Sequence, residues 1–191
     1  MKKTFTILTF LWLFQPLWSQ EKSLYYSKFI TNESDKQWVY FKQDSKVKTE
    51  DFFKEFSNYL ELSEKDNFVQ FRENSSIGLN HTWYQQYHNN VKVVGAEYML
   101  HSRSGYVETA NGNAVANLNI NTAPKLTTLQ AIDALKRFMT HTLAKDDSNF
   151  VNAWTNSLRK DEHELQLNPE LLLMYDTYTK QPSASDYKLC Y

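Results

Sequence analysis

Glycine, proline and cysteine are scarce in this sequence, which has four glycines, four prolines and one cysteine among 191 residues. The single thiol, Cys190, cannot form a disulfide within the chain, so the fold must depend on a non-covalent core. Internal repeats and low-complexity tracts are also lacking. Because glycine is so rare, each glycine is a candidate for a turn or a close backbone approach.

A strong excess of charge of either sign is lacking too. The chain has 21 basic and 22 acidic residues, a net charge of −1. Without Lys2 and Lys3 the balance becomes 19 − 22 = −3. No basic cluster is available to neutralise phosphates. We therefore expect neither nucleic acid nor, once the first residues are removed, a membrane as a partner.

The longest apolar run lies at the start of the chain. Lys2 and Lys3 precede the apolar stretch Phe5–Trp18, and the small residue Ser19 follows it. The run is shorter than the ~20 residues that a membrane-spanning helix needs. Residues 1–19 are therefore predicted to be a signal peptide cleaved near Ser19, which implies secretion. An uncleaved anchor helix is the alternative.

Catalytic motifs are absent from the sequence. A thermolysin-type zinc site needs His-Glu-x-x-His on a helix, but after His163-Glu164 the second histidine position is Leu167. Cys190 lies in an alternating pattern, so we expect a half-buried thiol and not an activated nucleophile. No Gly-x-Ser-x-Gly, P-loop or Gly-x-Gly-x-x-Gly motif occurs. We predict no catalytic, metal-binding or cofactor-binding residues, and an enzyme is the least supported function class.

Three histidines, His81, His88 and His101, lie close together in the sequence. Alternation places His81 and His88 on opposite faces of a regular strand, where they cannot share a metal ion. His101 can face either of them. We expect hydrogen-bonded or exposed imidazoles, with a metal site as the alternative.

Residues 79–112 have the pattern of a β-meander. Apolar and polar residues alternate from Leu79 to His88 and again after Asn89-Asn90, and a third strand begins after Gly105. Asn89-Asn90 and Asn111-Gly112 are tight-hairpin signals, and Gly95 predicts a bulge or a close backbone approach. One further strand is predicted after Gly112, from the alternation of Ala114, Ala116, Leu118 and Ile120.

Other segments predict both helices and strands. Aromatic residues at helical spacing predict a helix over Thr49–Leu62, capped by Thr49, with an apolar core face. A Thr127-x-x-Gln130 capping box begins a second amphipathic helix that runs to about Ala144. Further strands are predicted at Gln37–Phe41, Phe68–Glu73, Leu171–Tyr175 and Tyr187–Tyr191. The fold class is α+β, with amphipathic helices packed on antiparallel β-meander sheets.

The meander resembles the FTP motif, the propeptide module of fungalysin- and thermolysin-type zinc peptidases. The resemblance implies a propeptide domain over residues 20–122. Three positions depart from the family pattern: Asn90 replaces a common glycine, Lys92 a proline, and Trp83 a basic residue. The residues that carry the resemblance are Tyr84, Gln86, Val93, Gly95, His101, Gly105, Asn111 and Gly112.

A weaker resemblance covers residues 123–191, where a helix followed by strands is similar to part of a PepSY propeptide domain. The strand at Tyr187–Tyr191 is then expected to lack its partners, to fold poorly and to leave Cys190 exposed. This would mark the chain as the truncated N-terminal region of a thermolysin-like peptidase precursor. The alternative is a naturally short protein.

The two resemblances imply a function. The chain would act as intramolecular chaperone and inhibitor of a thermolysin-like catalytic domain, bound in cis or in trans. Zinc and calcium would belong only to that catalytic domain. Trp83 or Tyr98 are candidate anchors of the contact. A stand-alone secreted module that binds or inhibits a protease in trans is the second hypothesis.

Overall fold

A computed structural model describes residues 25–35, 38–138, 170–175 and 182–191. The predicted signal peptide, the end of the second helix and His163 lie outside these residues. No helix within the described ranges is long and apolar enough to cross a membrane. The elements in chain order are β1 (Ile30–Asp35), β2 (Trp38–Phe41), α1 (Phe52–Glu55), β3 (Asp66–Ser76), β4 (Leu79–His88), β5 (Val91–Arg103), β6 (Tyr106–Gly112), α2 (Thr128–Phe138), β7 (Leu172–Met174) and β8 (Lys188–Cys190).

The described strands form one mixed sheet in the order β1-β2-β6-β5-β4-β3, with β7 beside β5 and β8 beside β7. The strand-dominated fold is broadly compatible with the predicted α+β class, but the prediction of purely antiparallel sheets is wrong. β7 pairs in parallel with Lys92 and Val93 of β5. This parallel pairing is possible because β6 pairs only with the later part of β5, from Tyr98 onwards.

The predicted meander is confirmed from β4 to β6. Asn89 and Asn90, with φ of 48° and 64°, form the two-residue turn between β4 and β5. Ser104 and Gly105, with φ of 51° and 81°, form the turn between β5 and β6. Asparagine and glycine tolerate such positive φ angles better than most residues, which is why the local sequence predicts these turns.

The hairpin predicted at Asn111-Gly112 is wrong. Both residues belong to β6, and Gly112 pairs with Tyr98 of β5. At Gly112, with φ of 144°, an added Cβ would clash with the carbonyl oxygen of Glu97. Glycine is needed there because two backbones approach closely.

The strand predicted after Gly112 is also wrong. The residues that follow β6 are held by a side chain in place of a neighbouring strand. Gln86 accepts a hydrogen bond from the Val115 N–H at 2.8 Å and donates one to the Val115 carbonyl at 3.0 Å. The Gln86 side chain thus satisfies the N–H and the carbonyl of Val115, which a neighbouring strand would otherwise have to satisfy.

The inner face of the sheet packs against α1 and the turns that follow it. Phe52, Phe56 and Leu60 are buried in one core cluster with Tyr98, so the predicted apolar face is confirmed. The helix is shorter than the predicted Thr49–Leu62, because only Phe52–Glu55 is helical. The cap predicted for Thr49 is wrong, since its hydroxyl donates to the carbonyl of Gly105 at 3.2 Å.

The capping box at the start of α2 is confirmed. The Thr127 N–H donates to Gln130 Oε1 at 2.8 Å, and the Gln130 N–H donates to Thr127 Oγ1 at 3.3 Å. Packing of α2 on the sheet is not observed in the part of the chain that is described, because no residue of Thr128–Phe138 is buried.

The expectation that the last strand lacks partners is wrong. Cys190 pairs with Leu172, and Leu189 pairs with Leu173. Cys190 is half-buried. Tyr187 is buried beside Tyr175 and donates to the Val94 carbonyl at 3.1 Å. This burial raises the pKa of Tyr187 to about 12. The division into two domains at residue 122 stays a prediction.

Candidate functional site

The side of the sheet opposite α1 carries two rows of side chains that run across five strands. We call these ten residues the outer face. The first row consists of Trp38, Asn111, Met99, Trp83 and Arg72. The second row consists of Tyr40, Thr109, His101, His81 and Asn74.

Ring contacts connect the outer face from β2 to β4. Trp38 stacks on Tyr40, with ring centroids 6.1 Å apart, and on His101, with centroids 6.0 Å apart and an interplanar angle of 6°. The His101 ring lies edge-on to His81 at 4.8 Å. His81 lies 6.3 Å from Trp83. The result is a continuous aromatic ladder.

Arg72 of β3 lies at the end of the ladder, next to Trp83. Its guanidinium carbon lies 4.7 Å from the centre of the Trp83 ring, within cation–π range. Arg72 thus places a positive charge on the strand next to Trp83. Arg72 is exposed, so its guanidinium is accessible to a carboxylate on a partner.

A hydrogen-bonded chain fixes the two histidines of the ladder. His81 Nδ1 lies 2.6 Å from His101 Nδ1, and His101 Nε2 lies 2.7 Å from Asn111 Oδ1. Because Asn111 Oδ1 only accepts, His101 carries its proton on Nε2 and accepts on Nδ1. His81 is therefore the donor of the hydrogen bond between the imidazoles.

The outer face combines fixed aromatic side chains with exposed area. Trp38 and Tyr40 are each 44% exposed, although both rings are held by stacking. Rigid aromatic and arginine side chains are the usual anchors of protein interfaces. Cross-strand aromatic pairs also stabilise sheets. A pair that only stabilises the sheet gains most when its rings are buried, and these two rings are not buried.

A buried polar cluster beneath the other end of the meander fixes β3 against β4. The Asp66 carboxylate accepts hydrogen bonds from the Ser63 N–H and hydroxyl, both at 2.7 Å, and from Gln86 Nε2 at 3.3 Å. His88 Nδ1 lies 2.8 Å from the same carboxylate, and both side chains are fully buried. His88 Nε2 is buried and has no hydrogen-bond partner among the described residues. The contacts to Asp66 join β3 to β4 from the inner side, so this cluster supports the sheet.

The predicted division of the histidines is confirmed. His81 faces outward, His88 faces inward, and His101 joins His81. In the described ranges, no group of three or more His, Cys, Asp or Glu side chains is arranged to hold a metal ion.

The residues that carried the family resemblance divide between the two sides of the sheet. His101 and Asn111 lie on the outer face. The bulge predicted at Gly95 is confirmed, because the register of β4 and β5 shifts between the pairs Gln85–Glu97 and Tyr87–Lys92. Gly95 has a φ of 76°, and an added Cβ would lie 3.2 Å from the Tyr175 ring. The remaining motif residues form the core, an inner polar contact, a turn and a close approach of two strands: Tyr84, Val93, Gln86, Gly105 and Gly112.

Of the two predicted anchors, Trp83 lies on the outer face and Tyr98 does not. Tyr98 is 1% exposed in the inner core, so the expectation for this residue is wrong. Its buried hydroxyl has no hydrogen-bond partner among the described residues. Burial also raises the pKa of Tyr98.

Sequence reasoning missed Trp38, Tyr40 and Arg72 as members of a site. A weak signal was present in Trp38-Val39-Tyr40-Phe41, where two large rings alternate with two buried residues. The pairing that brings Trp38 beside Asn111 spans 111 − 38 = 73 positions, and no local pattern encodes it.

Residues 72–114 match the Fungalysin/Thermolysin Propeptide Motif. A comparison with curated proteins finds no significant match to the chain. The matched segment begins at Arg72 in β3 and ends two residues after β6. It includes the whole outer face except Trp38 and Tyr40. The match supports a propeptide of fungalysin- or thermolysin-type peptidases, which is a non-catalytic role.

Proposed function

We propose that this chain is the propeptide region of a secreted zinc metallopeptidase precursor of the thermolysin type. It chaperones and inhibits the catalytic domain by binding that domain through the outer face. The observation that carries the proposal is that the β4 and β5 part of the aromatic ladder, His81, Trp83 and His101, lies within the matched propeptide segment. Residues 1–19 are the signal peptide in this account, and residues 123–191 are a partial PepSY-like domain.

The physical basis of inhibition is the burial of surface, with no chemical step in this chain. Trp38, Tyr40 and Trp83 present apolar area that loses water when it is covered. Their rings are already fixed by stacking, so little side-chain entropy remains to be lost on binding. Arg72 adds one positive charge at the border of the ladder, which favours a partner surface with a carboxylate beside an apolar patch.

The test is an inhibition assay with the purified exported chain and the mature thermolysin-type peptidases of the producing organism. We expect the chain to slow peptide hydrolysis at micromolar excess and to raise the yield of active enzyme on refolding. Ile77→Ala serves as the control, because Ile77 is 97% exposed and lies outside the outer face. Unchanged turnover and refolding with every such enzyme would refute the proposal.

A stand-alone module that inhibits a protease in trans is the second candidate. The pairing of β7 with β5, and of β8 with β7, favours this second candidate. Through these pairs, strands from residues 20–122 and from residues 123–191 belong to one sheet. Inhibition in trans by the separately expressed chain supports this candidate. A requirement for covalent linkage to the catalytic domain supports the precursor.

A further inference from the structure

We propose that the His81–His101 pair makes binding by the outer face dependent on pH. The outer face keeps its structure while the pair carries no more than one extra proton, and it rearranges when both imidazoles are protonated. The consequence for binding rests on the proposed function, but the protonation behaviour of the pair does not require a partner.

The number of protons follows from the hydrogen bonds. In the neutral pair, His81 donates from Nδ1 to Nδ1 of His101, and His101 donates from Nε2 to Asn111. A first extra proton can bind to His81 Nε2 and leave both hydrogen bonds intact. A second proton must bind to His101 Nδ1, and two N–H groups would then point at each other across 2.6 Å. The doubly protonated pair must separate.

Separation of the imidazoles is transmitted to the ladder. The His101 ring is 8% exposed and stacks on Trp38 nearly in parallel. It has little space in which to turn without displacing that indole. Trp38 in turn stacks on Tyr40. Protonation of one buried imidazole therefore moves the two most exposed rings of the outer face.

The groups around the pair do not compensate the added charge. On the same face, the charged neighbours are Arg72, beyond Trp83, and Arg103, two residues after His101 on β5. Glu73 of β3 pairs with Thr82 and so faces the other side. The Glu108 carboxylate already accepts a hydrogen bond from Arg103 at 2.8 Å. A second proton would add another cation to a face that already carries Arg72 and Arg103.

Nuclear magnetic resonance of the whole exported chain tests the pair directly. Imidazole nitrogen signals are followed from about pH 8 to about pH 4.5, the range in which histidines gain their protons. We expect two separate titration steps for His81 and His101, with the Trp38 indole signal changing only in the second step. His88, on the inner side of the sheet, is the internal comparison. Independent single-step titrations with an unchanged Trp38 signal would overturn the proposal.

The consequence for binding is tested by affinity for the peptidase at about pH 7.5 and about pH 5. The His81→Gln variant keeps a donor for His101 Nδ1 but does not titrate. We expect the affinity of the unmodified chain to fall at least about tenfold more than that of His81→Gln on acidification. Equal pH dependence of the two would contradict the proposal. Absence of binding at both pH values would refute the proposed function, and the titration would still decide the behaviour of the pair.

Discussion

The two faces of the sheet use similar aromatic residues for different purposes. On the inner face, Phe52, Phe56 and Tyr98 stack in a core that excludes water. On the outer face, Trp38 and Tyr40 stack equally well but remain almost half exposed. Ring stacking alone therefore does not distinguish a core from a binding surface. Among the described residues, the faces differ in that α1 and the turns after it cover the inner rings, whereas Trp38 and Tyr40 stay partly exposed.

The two faces should respond differently to substitution. Truncation of a buried phenylalanine costs about 3–5 kcal/mol because apolar contacts are lost and a cavity remains. An exposed cross-strand aromatic pair contributes only about 0.2–1 kcal/mol. Substitutions on the inner face should mainly change the free energy of unfolding, whereas those on the outer face should mainly change binding.

The largest expected effect is that of Phe56→Ala. Phe56 is buried against Tyr26, Phe41 and Phe52, so we expect the free energy of unfolding to fall by about 3–5 kcal/mol. Urea denaturation measures this. Trp38→Ala is the matched substitution on the outer face, with an expected loss below about 1 kcal/mol. Similar losses in both variants would remove the distinction between the faces.

Gly112→Ala is expected to have the second largest effect. The added Cβ would meet the backbone of Glu97 and Tyr98 at a positive φ, and we expect a loss of about 3 kcal/mol in unfolding free energy. Gly105→Ala is the control, because it also has positive φ but no atom within 4 Å of an added Cβ. Its expected loss is about 1–2 kcal/mol. Equal losses would show that close approach of the backbones is not the cause.

Arg72→Ala is expected to have an effect on binding alone. Arg72 is exposed at the border of the outer face, so its removal should change the free energy of unfolding by less than about 0.5 kcal/mol. Affinity for the peptidase should fall by about tenfold and become less sensitive to salt. Isothermal titration calorimetry at two salt concentrations measures both. An unchanged affinity would place the contact elsewhere.

Tyr98→Phe is expected to have the smallest effect at neutral pH. The buried hydroxyl has no partner in the described residues, so its removal should be neutral or stabilise the protein by up to about 1 kcal/mol. Burial raises the pKa of Tyr98, so the stability present below pH ~10 is lost as the pH rises towards the higher folded-state pKa. Tyr98→Phe should unfold at higher pH than the unmodified chain. Alkaline denaturation followed by circular dichroism measures this.

The sequence predicts those parts of the fold that depend on neighbouring residues. The turns at Asn89-Asn90 and Gly105 and the capping box at Thr127 are of this kind, because a few adjacent residues determine them. Asn111-Gly112 shows the limit. The same dipeptide suits a hairpin and a close approach of two strands, and only the distant contact with Glu97 decides between them.

The outer face was only partly predictable for the same reason. Alternation separates His81 from His88, and this follows from the geometry of a single strand. The contact between Trp38 and His101 depends on β2 pairing with β6 and β6 with β5. Such pairings are set by the whole sheet, so the sequence alone suggested Trp83 but not the ladder to which it belongs.

Binding of the catalytic domain by the outer face is tested most directly by the inhibition constant of a double variant, Trp38→Ala with Trp83→Ala, against the thermolysin-type catalytic domain. We expect inhibition at least about 30-fold weaker than that of the unmodified chain, with the free energy of unfolding lowered by less than about 2 kcal/mol. Inhibition equal to that of the unmodified chain by a correctly folded double variant would contradict this expectation, because the outer face would then not be the contact.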